Sequence, residues 1–142
     1  MASFVKLNGF VEHLAEKVHN LGSDQLAIAL SNTAPGSEGT PPTGSTAACV
    51  LANVTQISYT NLSSRNVTTS SSSQTSGTYS LVCTDLVLTA SGAVGPFRYV
   101  YLYNDTAASD NLIGYWDYGS SISLANTETF TVDFGSSVLT IA

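Results

Sequence analysis

The sequence predicts one mainly-β domain: an antiparallel β-sandwich, jelly-roll-like or Ig-like, with a single amphipathic helix near the N-terminus. Three observations predict it. Short apolar runs are separated by turn residues at short, regular intervals from about residue 50 onward. Several of these runs alternate with period two, most cleanly "TFTVDF", where Phe130, Val132 and Phe134 interleave with Thr129, Thr131 and Asp133. Charged residues are only 10% of the chain, against about 25% in an ordinary soluble domain. The polar coat must then be Ser, Thr, Asn and Gly, as β-rich proteins have it. At 142 residues the natural reading is one domain spanning 1–142, long enough to bury a core without a metal or disulfide.

The helix is expected over residues 10–21. Phe10, Leu14, Val18 and Leu21 fall at steps of four, four and three and make one apolar stripe. Asn8 suits the N-cap, and Gly22 suits the left-handed residue past the end. On such a helix His13 and His19 would point about 120° apart, too far to share a metal. "LAIAL" (26–30) reads as a buried strand. Residues 31–46, "SNTAPGSEGTPPTGST", hold Pro35, Pro41 and Pro42 with Gly36, Gly39 and Gly44. This is a long loop or extended arm, of the kind usually bound to something. An arm of this composition could clasp a neighbour by ordering on contact.

The strands that follow are "TQISYT" (55–60), "RNVTT" (65–69), "TYSLVC" (78–83), "LVLTA" (86–90), "GPFRYVYLYND" (95–105), "LIGYWDY" (112–118), "ISL" (122–124), "TFTVDF" (129–134) and "VLTIA" (138–142). Ser, Thr, Gly and Asn turns divide them. In "GPFRYVYLYND" the alternation puts Val100 and Leu102 on one sheet face and Tyr99, Tyr101 and Tyr103 on the other. Arg98, one of four cations, calls for a carboxylate at the strand entrance. Tyr115, Trp116 and Tyr118 stand on the next strand. These six aromatics are the candidate interface. Internal packing (under the N-terminal helix, for example), a subunit contact and a carbohydrate platform are the three readings of the cluster.

No catalytic constellation emerges. There is no GxSxG elbow, no phosphate-cradling glycine loop ahead of a helix and no convincing carboxylate pair. "NDTAASDN" (104–111) offers oxygens but lacks Ca²⁺-loop spacing. The expectation is a non-enzyme with no cofactor and no metal. A net charge of −6 with Lys6, Lys17, Arg65 and Arg98 as the cations argues against nucleic acid as a partner and against a basic membrane helix. No stretch reaches the about 20 apolar residues of a membrane span. The N-terminus does not read as a signal peptide, so synthesis in a cytoplasm is expected. Cys49 and Cys83 are then buried thiols or, alternatively, one disulfide. Four Asn-x-Ser/Thr triplets, at Asn53, Asn61, Asn66 and Asn104, are expected to carry no glycan.

The segments "FVEHLAEKVHNLGSDQLAIALSNTAP", "SQTSGTYSLV", "GPFRYVYLYND", "LIGYWDYGSSISL" and "ETFTVDF" resemble a family of small virion proteins of tailed bacteriophages, over about residues 4–142. The "GPFRYVYLYND…LIGYWDYGSS" block carries most of the likeness. The resemblance implies a structural component of the particle: a capsid decoration or cement protein at the capsid surface of the virion. Its partners would be the major capsid protein and copies of itself, as a dimer or trimer. A tail component and a carbohydrate-binding host-adsorption module are the alternatives. The low charge fits life inside an assembly, because it removes the repulsion that keeps copies apart.

Overall fold

The computed structural model describes residues 2–142. It is a barrel-like sandwich of antiparallel strands, 47% strand and 8% helix. The strands are β1 (Phe4–Lys6), β2 (Leu26–Ser31), β3 (Asn66–Thr75), β4 (Thr78–Thr84), β5 (Leu86–Thr89), β6 (Val94–Asn104), β7 (Leu112–Leu124), β8 (Thr129–Val132) and β9 (Leu139–Ile141). Seven of them form one sheet in the order β1-β7-β6-β2-β3-β4-β9, and β5 pairs with β8 as a separate ribbon. The ribbon closes the sandwich. Leu88 from β5 and Val132 from β8 meet Leu26, Ile28, Leu30, Leu81, Val100 and Leu102 of the large sheet in one continuous core.

Sequence alternation decides which face each residue takes, and bulges reset it. In β2, Leu26, Ile28 and Leu30 enter the main core, while Ala27 and Ala29 face the other way. On β6, Val100 and Leu102 enter the same core, and Tyr99, Tyr101 and Tyr103 face away from it. A simple two-residue period would put Phe97 with the tyrosines. A register shift between Phe97 and Tyr99 turns Phe97 into the main core instead. A second irregularity, where Leu102 pairs with Gly114 but Tyr103 pairs with Leu112, leaves Ile113 as the extra residue. It lets Leu112 and Tyr115 share the tyrosine face while Ile113 and Trp116 enter the main core.

The helix α1 (Asn8–Ala15) is shorter than the apolar stripe suggested. Leu7 takes the N-cap position, without a side-chain cap, and Asn8 is the first helical residue. The chain leaves the helix through Lys17, whose φ of 66° is left-handed, and the Val18 N–H closes back on the His13 carbonyl at 2.8 Å. Lys17 therefore does what Gly22 was expected to do. Leu21 still enters the main core, but from a turn, and Val18 is left half-buried. The helix sits at the rim, with Leu7 and Phe10 both buried. Phe10 reaches the main core and Leu7 reaches the tyrosine face.

Two glycines permit close approaches. A Cβ on Gly9 would lie 2.6 Å from the Cys49 Cβ, so α1 seats directly on the chain around Cys49. A Cβ on Gly114 would lie 2.6 Å from the Val5 carbonyl oxygen and still closer to the Phe4 ring. Only glycine lets β1 lie flat along β7 with Phe4 across from Trp116.

Candidate functional site

The tyrosine row is covered by its own chain. Tyr99, Tyr101 and Tyr103 are buried, and Tyr101 has no exposed surface at all. The ceiling over them consists of Leu7, Cys49 and Val54, with Ala34 and Leu51 at the margin. All but Leu7 come from the connection between β2 and β3. Ala27 and Ala29 leave room beneath it for the phenol rings. Residues 31–46 thus do not extend outward. They fold back over the sheet, with Pro35, Glu38 and Pro42 buried, and continue into a single 3-10 turn at Leu51–Asn53.

Polar ties hold this cover down. The Thr55 N–H donates to Glu38 Oε1 at 2.9 Å, and the Thr55 hydroxyl donates to Glu38 Oε2. Ser31 Oγ donates to the Thr55 carbonyl at 2.6 Å. Thr46 Oγ1 donates to Glu12 of α1 at 2.8 Å, and Ser121 of β7 donates to Asn32 at 2.8 Å. Burial, with the Glu38 carboxylate close by, pushes the Tyr101 phenol well above its usual range. The Tyr101 hydroxyl has no hydrogen-bond partner. Burial, only partly offset by a hydrogen bond from the Phe10 backbone, pushes the Cys49 thiol up to about 11, and its side chain packs in the tyrosine-face core. Cys83 lies in the other core, on the far side of the sheet, and both cysteines are free.

The remaining aromatics divide. Trp116 is buried in the main core, 4.8 Å from Phe4 and 5.7 Å from Phe134 between ring centres. Tyr115 is half-buried against Tyr101 at 5.7 Å, and Tyr118 is half-buried against Phe130 at 5.0 Å. Of the six, only Tyr115 and Tyr118 offer surface to a partner. Arg98 finds its carboxylate across the sheet: Nε and an Nη donate to the two oxygens of Asp117 at 2.7 and 2.9 Å. It is the one ion pair among the described residues. The Arg98 fork, helped by the Gly119 N–H, holds the Asp117 carboxyl below the usual range.

A buried polar cluster that periodicity did not reveal lies at the rim. Because the helix ends at Ala15 and turns through Lys17, His19 swings back toward His13, and their ring centres are 5.9 Å apart. Asn104, fully buried, places Nδ2 3.1 Å from His19 Nδ1 and 2.6 Å from Asp24 Oδ2. Asn111 Nδ2 lies 3.3 Å from His13 Nε2. The available signal was "HNLGSD" (19–24), whose Asn, Gly, Ser and Asp favour a turn over a helical end. Among the described residues no three His, Cys, Asp or Glu side chains are placed to hold a metal ion, and no helix is long and apolar enough to cross a membrane.

No protein-family model, no curated protein and no solved structure matches the chain.

Proposed function

We propose that this chain is a non-enzymatic structural protein of a tailed-phage virion, a capsid decoration or cement protein that binds the outside of the shell and stabilises it. The observation that carries the reading is the outer surface. On β3, Ser70, Ser71, Ser72, Ser73, Gln74 and Thr75 are all exposed, and one exposed ion pair is the only charge pairing among the described residues. An uncharged hydroxyl face of this kind can be buried against a lattice neighbour without desolvating an ion. Binding the assembled lattice and not its free parts would stabilise the shell by mass action. The sequence resemblance points the same way.

The partners in this reading are the major capsid protein and further copies of the chain, as a dimer or trimer. They meet the Ser/Thr surface, not the buried tyrosines, and residues 31–46 cover their own sheet instead of clasping a neighbour. Burial of Tyr99, Tyr101, Tyr103 and Trp116 also removes most of the stacking surface that a carbohydrate module would need. The test is the copy number of this chain relative to the major capsid protein in a purified particle, by quantitative mass spectrometry. Copies comparable in number to the shell subunits are expected. A handful per particle would overturn the cement reading in favour of a tail component.

A further inference from the structure

The buried cluster at the rim has a fixed hydrogen-bond polarity. Asn104 Oδ1 accepts from the Thr106 N–H at 2.9 Å and the Ala107 N–H at 3.1 Å. Those two donors set the orientation of the amide, so its NH₂ edge faces His19 Nδ1 and Asp24. An N–H pointing at Nδ1 requires a lone pair there. His19 is therefore neutral with its hydrogen on Nε2, and that buried N–H has no partner. A second proton has to enter at Nδ1, where it would meet the Asn104 N–H head on.

We propose that this cluster is an acid-operated latch: proton uptake by His19 breaks its contact with Asn104 and releases the turn of residues 16–24 from the ends of β2 and β6, while the barrel stays folded. Lys17 of its own turn and Tyr79 of β4 line the groove on which His19 borders, and the groups packed closest to the ring are four. From α1 come His13 at 5.9 Å and the Phe10 ring at 5.2 Å, from β6 comes Asn104, and from its own turn comes Asp24. Asp24 favours a charged ring, but its Oδ2 is already engaged by the Asn20 N–H at 2.7 Å and by Asn104. Burial and the neighbouring His13 outweigh it and hold His19 down at about 4.

The turn is held to the barrel by few contacts: Leu21 enters the main core, and His19 and Asp24 meet Asn104. Its backbone bonds are local: Ser23 and Asp24 N–H groups donate to the Asn20 carbonyl, and Val18 donates to His13. A groove of about 460 Å³, lined by Leu14, Lys17, Val18 and Leu21 on one side and Tyr79 and Ile141 on the other, runs between its outer part and β4 and β9. Since the folded-state value lies below the ordinary 6.5, the neutral ring's contribution is complete above about pH 6.5 and declines as pH falls toward about 4.

Hydrogen exchange followed by mass spectrometry on the full chain tests this, after correction for the intrinsic pH dependence of exchange. The opening constant of peptides within residues 16–25 is expected to rise roughly twentyfold between about pH 7 and about pH 5, with β6 peptides unchanged. His19→Gln, which can still accept from Asn104 but cannot take up a proton, is expected to remove most of that rise. Loss of protection in the turn and in β6 together would overturn the latch, as would an equal rise in His19→Gln. Should that variant fail to fold, NMR titration of the wild-type His19 ring decides. A midpoint below the ordinary 6.5 with the amide signals of residues 16–24 shifting in step supports the latch; a midpoint at or above it, or turn amides that do not follow the ring, overturns it.

Discussion

Replacing Tyr101 with alanine is expected to destabilise the isolated chain by about 3–5 kcal/mol, the range for emptying a large aromatic site in a packed core. The ring has no exposed surface and sits between Ala27 and Ala29 below and Cys49 and Val54 above. The cover is a loop with mostly local backbone bonds, but it is pinned at Glu38, Thr46 and Asn32, so it cannot collapse freely into the void. For a domain of this size the loss corresponds to a fall in Tm of roughly 10–15 °C. Tyr101→Phe is expected to behave oppositely. It keeps the ring and removes a hydroxyl that has no partner. A buried unsatisfied hydroxyl costs about 1–3 kcal/mol, so the phenylalanine variant should match or exceed the wild type. Thermal melts of the two variants, read by circular dichroism, check both. A phenylalanine variant as damaged as the alanine one would contradict the packing described for this face.

Trp116→Ala is expected to be as costly, again about 3–5 kcal/mol, with an additional local consequence. Trp116 is the surface against which Phe4 packs, at 4.8 Å, and Phe4 crosses β7 directly over Gly114. Three residues of β1 pair with β7, Phe4 opposite Trp116. Without the indole, β1 keeps its ladder bonds but loses its apolar anchor. It should fray first, baring the stretch Gly114–Trp116 that it covers and leaving that edge of β7 without a partner strand. An edge left open in this way invites pairing with another chain. The variant should therefore show both a lower urea midpoint and concentration-dependent association in sedimentation, whereas Tyr101→Ala should show the first without the second.

The architecture was largely legible because period-two alternation is a direct consequence of strand geometry. The runs at 26–30, 78–83, 86–90, 129–134 and 138–142 are strands, or the bodies of them, and the split of Val100 and Leu102 from the three tyrosines holds. "TQISYT" is not a strand. Tyr59 instead lends its hydroxyl to the Leu30 N–H at 2.9 Å and its ring to the Arg65 guanidinium at 3.8 Å, filling the gap where β3 diverges from β2. What covers the tyrosines was not legible, because Pro and Gly fix where a loop bends but carry no periodic signal about which surface it returns to. The same limit hid the His13–His19 pair. An apolar stripe at helical spacing is satisfied equally by a helix to Leu21 and by a shorter helix followed by a turn that tucks Leu21 inward. The left-handed Lys17 decides between them, and nothing in a lysine announces it.

The central structural claim is that the chain closes its own tyrosine face. Hydroxyl-radical footprinting of the free chain, read residue by residue by mass spectrometry, tests it most directly. Tyr99, Tyr101 and Tyr103 are expected to be oxidised far more slowly than the half-buried Tyr115 and Tyr118. Oxidation of the three at the rate of Tyr118 in the free chain would contradict it. In that case residues 31–46 would be an open arm and the tyrosine row a true interface.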